Sequence, residues 1–216
     1  MKYKYIVWDF NGTIIDDVEV GIKSVNSLLA SRGLKMIDSL EAYREKFTFP
    51  IIEYYSKLGF DFDKEPYEKI AHEWVANYKR LSPGIKPVDG VKELICYFEK
   101  LGLEQMILSA SEGKMLTQKL SELGLLGYFK KILSLDNIYA HSKFDIAKEY
   151  FDKKDKSCYL MIGDTTHDGE IAKKLGIDIA LVCGHHGRKK LEALNCDVFD
   201  DMRELFNKIK SGEFVV

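Results

Sequence analysis

Short, uninterrupted apolar runs are the sequence feature that most restricts the fold of this chain. Each run is only a few residues long and is bounded by polar or turn-forming residues. Because apolar residues follow one another instead of alternating with polar ones, the runs predict strands buried on both faces, as in a parallel sheet. The runs are residues 5–10, 105–109, 131–135, 159–162 and 179–183, with a weaker sixth at 198–199.

Helical periodicity separates most of these runs. Apolar residues recur three or four positions apart before Gly102, Gly124 and Gly176, and each of these glycines is a typical helix stop. Strands that alternate with helices in this way predict an α/β fold with a doubly wound parallel sheet and a Rossmann-like core.

The alternation is interrupted after the first run. Several helical patterns follow before the next strand, and residues 82–90, rich in proline and glycine, read as a linker back to the sheet. We therefore predict an inserted α-helical cap domain at residues 16–85, and an α/β core domain made of residues 1–15 and 86–216. The predicted cap helices are residues 18–31, 39–47, 51–58 and 66–80.

Charge and composition exclude several classes of partner. The chain has 32 basic and 34 acidic residues, a net charge of -2, so no overall positive charge favours nucleic acid or an anionic membrane. No apolar stretch approaches the length of a membrane helix, and the first run is too short for a signal peptide. Cys96, Cys158 and Cys183 lie in apolar runs outside any C-x-x-C pair and are predicted to be buried thiols. We predict a cytoplasmic protein that binds neither nucleic acid nor membrane.

Polar residues follow several of the predicted strands, at the edge where open α/β sheets bind ligands. Asp9 ends the first strand, Ser109 the second and Asp164 the fourth, while Lys143 begins a helix between the last two. A carboxylate can attack phosphorus to form an aspartyl phosphate, and Mg²⁺ prefers carboxylate, phosphate and water oxygens. A lysine and N–H donors would neutralise the phosphoryl oxygens.

These motifs together resemble the haloacid dehalogenase-like hydrolase superfamily. D-F-N-G-T from Asp9 resembles its first motif, D-x-D-x-[TV], and M-I-L-S ending at Ser109 resembles its second. Lys143 matches the third motif, and G-D-T-T-H-D, with Asp164 and Asp168, matches the fourth. All four occur in the family's order, and the segment L-V-C-G-H-H-G-R-K-K-L also resembles the phosphoglycolate phosphatase-like subgroup.

The resemblance implies a function and a set of roles. It implies a Mg²⁺-dependent phosphatase that acts on a small phosphorylated metabolite, such as phosphoglycolate, under a helical cap. The implied catalytic residues are Asp9 as nucleophile, Asn11, Ser109 and Lys143. The implied metal ligands are Asp9, Asn11 through its carbonyl, Asp164 and Asp168. The implied phosphate-binding residues are Gly12, Thr13, Ser109, Ala110 and Lys143.

Two positions depart from the family pattern. Phe144 follows Lys143 where the family usually has proline, which leaves the exposed Lys148 as a rival. Asn11 replaces the aspartate that protonates the leaving group and then activates water, a contribution of about 10²- to 10⁴-fold.

Four explanations of Asn11 stay open. The substitution could have been introduced, or the substrate could have a good leaving group, as in acyl phosphates or pyrophosphate. Another group could replace the acid, with Asp16, Asp17 and His185 as candidates. Finally, the chain could be a regulatory protein that binds phosphate compounds with little turnover.

Other classes and residues fit less well. A carbon–halogen hydrolase has no need of the G-D-x-x-x-D acid pair, and a receiver-type signalling domain lacks a large helical insert. Ser111 is interpreted as a helix cap, and the aromatic residues of the insert as packing residues. His167, His185 and His186 are interpreted as solvated loop residues, and Arg44 and Lys46 as surface residues that could reach a substrate.

Overall fold

The computed structural model describes residues 1–135 and 143–216. The strands within these residues are β1 Tyr5–Trp8, β2 Glu104–Glu112, β3 Phe129–Leu135, β4 Tyr159–Gly163, β5 Asp178–Val182 and β6 Asp197–Phe199. The α-helices are α1 Val18–Ser31, α2 Leu40–Lys46, α3 Ile51–Lys57, α4 Tyr67–Leu81, α5 Val91–Lys100, α6 Gly113–Glu122, α7 Lys143–Phe151, α8 Thr166–Leu175, α9 Arg188–Leu191 and α10 Met202–Ser211. Short 3-10 turns are Leu126–Tyr128, Lys156–Cys158 and Glu192–Leu194.

The strands form one parallel sheet in the order β3-β2-β1-β4-β5-β6. Alternate residues of β1 enter different apolar clusters: Ile6 and Trp8 pack with α5 and α10 on one face, and Val7 packs with α7 and α8 on the other. The sheet is therefore covered on both faces, which confirms the predicted doubly wound α/β fold and explains why its strands have no polar side.

The predicted burial of the cysteines is wrong in degree. Cys96, Cys158, Cys183 and Cys196 are all free thiols and all half-buried. Cys96 lies in the middle of α5, where its thiol donates to the Tyr128 hydroxyl. Cys158 directly precedes β4 and Cys183 directly follows β5. No helix in the described part of the chain is both long and apolar enough to cross a membrane.

Helices α1 to α4 pack around a third apolar cluster, which includes Val25, Leu28 and Leu29 of α1 and Ile70 of α4. Their bounds fall within a residue or two of the four predicted segments. The two segments that connect these helices to the sheet lie side by side. The Asp16 N–H of one donates to the Lys86 carbonyl of the other at 2.9 Å. The division into a core domain and a cap domain stays a prediction.

Arg32 ties α1 to α4. Its guanidinium donates to both oxygens of Glu65, at 2.6 and 2.8 Å, and to Glu73 at 2.7 Å. The hydrogen bonds from Arg32, with Lys69 adding to them, lower the pKa of Glu65 to about 2 from an ordinary value of 4.5. The lowered pKa means that this stabilisation is present above about pH 4.5 and is lost as the pH falls through about 2.

Arg32→Gln should therefore lower the free energy of unfolding at pH 7 by about 1 kcal/mol, since the pair is partly exposed. The difference from the parent should shrink below pH 4.5, where Glu65 of the unfolded chain becomes protonated. Urea unfolding at pH 7, 5 and 3 measures both quantities. A difference that does not change with pH would contradict an ionic origin.

Candidate active site

Three carboxylates meet at the carboxyl edge of the sheet. Asp9 follows β1 and Asp164 follows β4, and these strands are neighbours in the sheet. Asp168 lies in the first turn of α8, and all three side chains are buried. Each offers an oxygen within 4.8 Å of the others. Such a cluster of buried acids needs a compensating positive charge.

Lys143 supplies one positive charge. It is the first residue of α7, is buried, and donates to an oxygen of Asp9 and, at 2.6 Å, to Asp168. Burial alone would lower the pKa of this amine, but the charges of Asp168 and Asp9 raise it above its ordinary value. Lys148, the rival lysine, lies exposed on α7. The geometry thus joins Lys143, and not Lys148, to the carboxylates.

The donor set fits a divalent cation. Burial, with the charges of Asp168 and Asp164 acting against that of Lys143, raises the pKa of Asp9 to about 8. Burial also raises the pKa of Asp164 to about 6, although the charge of His185 opposes it. A hard cation among these oxygens would lower both pKa values and keep the carboxylates ionised at neutral pH.

Hydrogen bonds hold Asp164 and Asp168 in position. Asp164 Oδ1 accepts from the Thr13 hydroxyl at 3.1 Å, and its Oδ2 accepts from the His185 N–H at 2.6 Å. Asp168 forms a capping box with Thr165, accepting from its N–H at 3.0 Å and its hydroxyl at 2.6 Å. Asp168 therefore caps the first turn of α8 and also accepts from Lys143, so its side chain has little rotational freedom.

Ser109 and Ser111 lie in an irregular part of β2. The strand does not end at Ser109, as predicted, but continues to Glu112 through a register shift after Leu108. Ser109 is buried at the site, and its oxygen accepts from the Ser111 N–H at 3.0 Å. The interpretation of Ser111 as a helix cap is wrong, because its hydroxyl donates to the carboxamide oxygen of Asn11.

Asn11 is held in place by a hydrogen-bond network. Its amide donates to Asp17 Oδ2 at 2.6 Å and to the Tyr78 hydroxyl at 3.2 Å. Asp17 also accepts from the Gly12 N–H at 2.8 Å and from Tyr78 at 2.7 Å. The Gly12 N–H is thus already used by Asp17. Asp16, the neighbouring candidate acid, is exposed.

His185 and His186 are buried, so their interpretation as solvated loop residues is wrong. His185 Nδ1 lies 2.7 Å from the Tyr43 hydroxyl, and its Nε2 lies 3.5 Å from Asp17 Oδ1. Burial disfavours the charged imidazole, but the bond to Asp17 and the charges of Asp164 and Asp17 raise its pKa to about 9. The loop after β5 packs over the carboxylates and places the imidazolium of His185 beside Asp17.

The same loop is bonded to α2. His186 Nε2 lies 2.9 Å from the Phe47 carbonyl, which also accepts from Lys190 at 2.6 Å. Arg44 donates to the Gly184 carbonyl at 2.9 Å, and Lys46 is exposed. His167 is half-buried against the Phe49 ring, at a centroid distance of 4.7 Å, and burial lowers its pKa. Arg44 is therefore bonded to the loop, and Lys46 faces solvent.

A cavity of about 210 Å³ opens above Asp9 and Asn11. Ser109, Ala110, Lys143, Asp164 and Asp168 line its floor, and aromatic residues of α2 to α4 line its opposite wall. Sequence reasoning missed Tyr43, Tyr78 and Trp74 at this site. No sequence signal marks them, because Tyr78 is 67 residues from its partner Asn11 and Tyr43 is 142 from His185.

Both the backbone conformation and the crowding around position 12 require glycine there. Its φ is +72°, and an added Cβ would overlap the Asp164 carboxylate and the His185 ring. Gly12→Ala should lower the free energy of unfolding by about 1–3 kcal/mol through backbone strain, with the overlap adding to it. Gly33→Ala is the matched control, with φ +65° and open space around the added carbon. Thermal unfolding of both variants tests this, and equal losses would show that the crowding around Gly12 is unimportant.

Comparison with known proteins agrees with this geometry. Residues 6–182 match the family model described as haloacid dehalogenase-like hydrolase. A phosphoglycolate phosphatase of Pseudomonas savastanoi pv. phaseolicola is 25% identical over 213 residues, which cover 94% of this chain and 78% of that protein.

Solved structures share the fold. A haloacid dehalogenase-like family hydrolase from Streptococcus pneumoniae superposes with a TM-score of 0.80 at 16% identity, covering 96% of this chain and 99% of that one. CbbY from Rhodobacter sphaeroides, solved in complex with phosphate, gives 0.71 at 17% identity, covering 94% and 96%. The family model matches most of the chain, and the carboxylates and lysine of that family's motifs meet in one cavity. The chain therefore belongs to the haloacid dehalogenase-like hydrolase family, and it is an enzyme.

Proposed function

We propose that this chain is a Mg²⁺-dependent phosphatase of a small phosphorylated metabolite, and that Asp9 forms an aspartyl phosphate. The observation that carries this proposal is the contact of the Asp9 carboxylate with Lys143 at the floor of the cavity, beside Asp164 and Asp168. The likeness to phosphoglycolate phosphatases of Pseudomonas supports the phosphatase class.

Each residue has a distinct task in this proposal. An oxygen of Asp9 attacks phosphorus, and the bond from phosphorus to the leaving oxygen breaks as the new bond forms. Lys143 lies against Asp9 and neutralises the phosphoryl oxygens, while Ser109 and Ala110 border the same floor. Water then attacks the aspartyl phosphate, which releases phosphate and restores Asp9.

Asp9, Asp164 and Asp168 would hold Mg²⁺, with the Asn11 carbonyl as a further oxygen ligand. The cation would supply charge neutralisation for the transferring phosphoryl group. Thr13 keeps one oxygen of Asp164 in position by donating to it. Thr13 thus acts on the metal site by orienting a carboxylate.

Asn11 restricts the substrates that such a site can use. Its amide bonds to Asp17 and Tyr78 and its oxygen to Ser111, so it is positioned but has no proton to exchange. Asp17 is already engaged by Gly12, Asn11 and Tyr78. Both ring nitrogens of His185 are likewise engaged, by Tyr43 and Asp17, so we infer that neither residue replaces the missing acid. We therefore infer a preference for good leaving groups, as in acyl phosphates.

A cap formed by residues 16–85 would close this site. Its proposed hinges are residues 14–17 and 82–87, where the Asp16 N–H and the Lys86 carbonyl are bonded. The contacts of Arg44 and Phe47 with the loop after β5 would hold the cap in a closed arrangement. Closure would exclude water that competes for the aspartyl phosphate.

Phosphate release from acetyl phosphate, pyrophosphate, p-nitrophenyl phosphate and phosphoglycolate, with Mg²⁺ and with chelator, tests the proposal. We expect metal-dependent release that is faster for the better leaving groups. The second candidate is a weakly active regulatory protein that binds phosphate compounds, which the fully bonded Asn11 favours. Binding of these compounds by a folded chain without any release would select that candidate.

A further inference from the structure

The wall of the cavity opposite Asp9 is aromatic. Phe47 and Phe49 follow α2, Tyr54 lies on α3, and Tyr67 and Trp74 lie on α4. Phe47, Phe49 and Trp74 are only half-buried, so part of each ring stays uncovered by protein. At about 210 Å³ the space is below the roughly 300–1,000 Å³ of sites for drug-sized ligands. It suits one small planar group beside the phosphate.

The charges around the cavity leave no place for a second anion. Among the described residues that line it, the positive side chains are Lys143 and His185. Lys143 is paired with Asp9 and Asp168, and His185 faces Asp17. A carboxylate on the non-phosphate part of a substrate would lie among aromatic rings without a counter-charge, which is costly.

Tyr54 adds a polar requirement. Its hydroxyl is buried and has no hydrogen-bond partner among the described residues. Burial raises the pKa of this phenol above its ordinary range, so it stays protonated and can donate. An unpaired buried hydroxyl is rare, and a polar substituent on a ligand would satisfy it.

Asn11 points to the same ligand class from the chemistry. A phenol leaves phosphorus as a phenolate far more easily than an alkyl alcohol does, because its oxygen is more acidic. An aryl ester thus offers both a ring for the aromatic wall and a leaving group that needs little protonation. A quaternary ammonium ester would also suit aromatic rings, but its alkyl oxygen needs the acid that Asn11 lacks.

We propose that the substrate is a small aryl phosphate with no second negative charge, whose ring lies against Phe49 and Trp74 and whose polar substituent meets Tyr54. This rests on the phosphatase function proposed above. The bond from Asp9 to phosphorus forms as the bond from phosphorus to the aryl oxygen breaks. The phenolate leaves with the electron pair and takes a proton from solvent.

Substrate comparison separates ring binding from leaving-group ability. Phenyl phosphate should give a kcat/KM at least about tenfold above phosphoglycolate and phosphocholine. Benzyl phosphate, which has the ring but an alkyl oxygen, should inhibit with a Ki close to the KM of phenyl phosphate and turn over slowly. Tighter binding of phosphoglycolate or phosphocholine than of benzyl phosphate would overturn the proposal.

A pair of variants tests the aromatic wall. Trp74→Leu should raise the KM for phenyl phosphate about 2- to 13-fold, the factor that aromatic pair energies correspond to. Tyr97→Leu removes a ring that packs on Phe206 outside the cavity, and is the matched control. The ratio of kcat/KM for phenyl phosphate to that for acetyl phosphate should fall in Trp74→Leu alone. An equal ratio in both variants would contradict the placement of the ring.

Calorimetry makes the test independent of turnover. With Mg²⁺ present, benzyl phosphate should bind more tightly than phosphoglycolate, and Tyr54→Phe should weaken 4-hydroxybenzyl phosphate more than benzyl phosphate. Metal-dependent release from acetyl phosphate without any ring preference would overturn this inference and leave the phosphatase proposal standing. Ring-selective binding without phosphate release from any ester would support this inference about the ligand and overturn the phosphatase proposal.

Discussion

Asp9→Asn should abolish Mg²⁺-dependent phosphate release, by a factor on the order of 10⁴ or more. The amide has nearly the same shape but cannot attack phosphorus, and the buried Asp9 carboxylate contacts Lys143 at the floor of the cavity. Initial rates with acetyl phosphate and phenyl phosphate measure the loss. Mass spectrometry of quenched reactions should show a phosphorylated aspartate in the parent and none in the variant.

The matched control for this exchange is Asp16→Asn. Asp16 is exposed, lies a few residues further along the chain, and is not one of the three clustered carboxylates of the site. Its rate should stay within about twofold of the parent, since surface substitutions have small effects. Substantial turnover by Asp9→Asn, with deamidation excluded by mass, would show that Asp9 is not the nucleophile.

Asn11→Asp should raise turnover of alkyl phosphates such as benzyl phosphate by about 10²- to 10⁴-fold. The new carboxyl group would lie within bonding distance of Asp17, because the present amide is 2.6 Å from it. Two carboxylates this close cannot both ionise easily, so one of them keeps its proton to higher pH. The proton that Asn11 cannot provide would then be present at the leaving oxygen.

The gain should depend on pH and on the leaving group. Above the raised pKa of the new pair the two charges repel, so both the gain and the stability should fall as the pH rises. Phenyl phosphate should gain less than benzyl phosphate, because a phenolate needs less protonation. A pH series of kcat for the two esters measures this. An equal gain for both, or none for either, would show that position 11 is not where the acid is missing.

Asn11→Asp should also lower the stability of the fold, because it disrupts the hydrogen-bond network around position 11. Asn11 donates to Asp17 and Tyr78, and an ionised carboxylate at position 11 would replace those donors by acceptors. Asn11→Asp combined with Asp17→Asn restores one donor and one acceptor at the contact. This double variant should recover stability relative to Asn11→Asp alone, a coupling that thermal unfolding can measure.

The sequence by itself determined the sheet and the identity of its edge residues. Uninterrupted apolar runs require two covered faces, so strands such as β1 and β4 could be predicted, and residues directly after a parallel strand must lie at the ligand-binding edge. Asp9 and Asp164 were predicted at this edge in this way, because each directly follows a strand. Lys143 begins a helix, and its role was implied by the resemblance to the family's third motif.

Only the tertiary structure decided the surroundings of those residues. Tyr43 reaches His185, and Tyr78 reaches Asn11, across long separations that no local pattern records. The sequence favours solvated histidines after β5, because a polar loop gives no sign of the distant segments that pack over it. Their burial, the pairing of His185 with Asp17 and the aromatic wall all arise where helices α2 to α4 fold back over the sheet edge. That contact is set by packing between distant segments, and it is the part of the site that we propose selects a substrate.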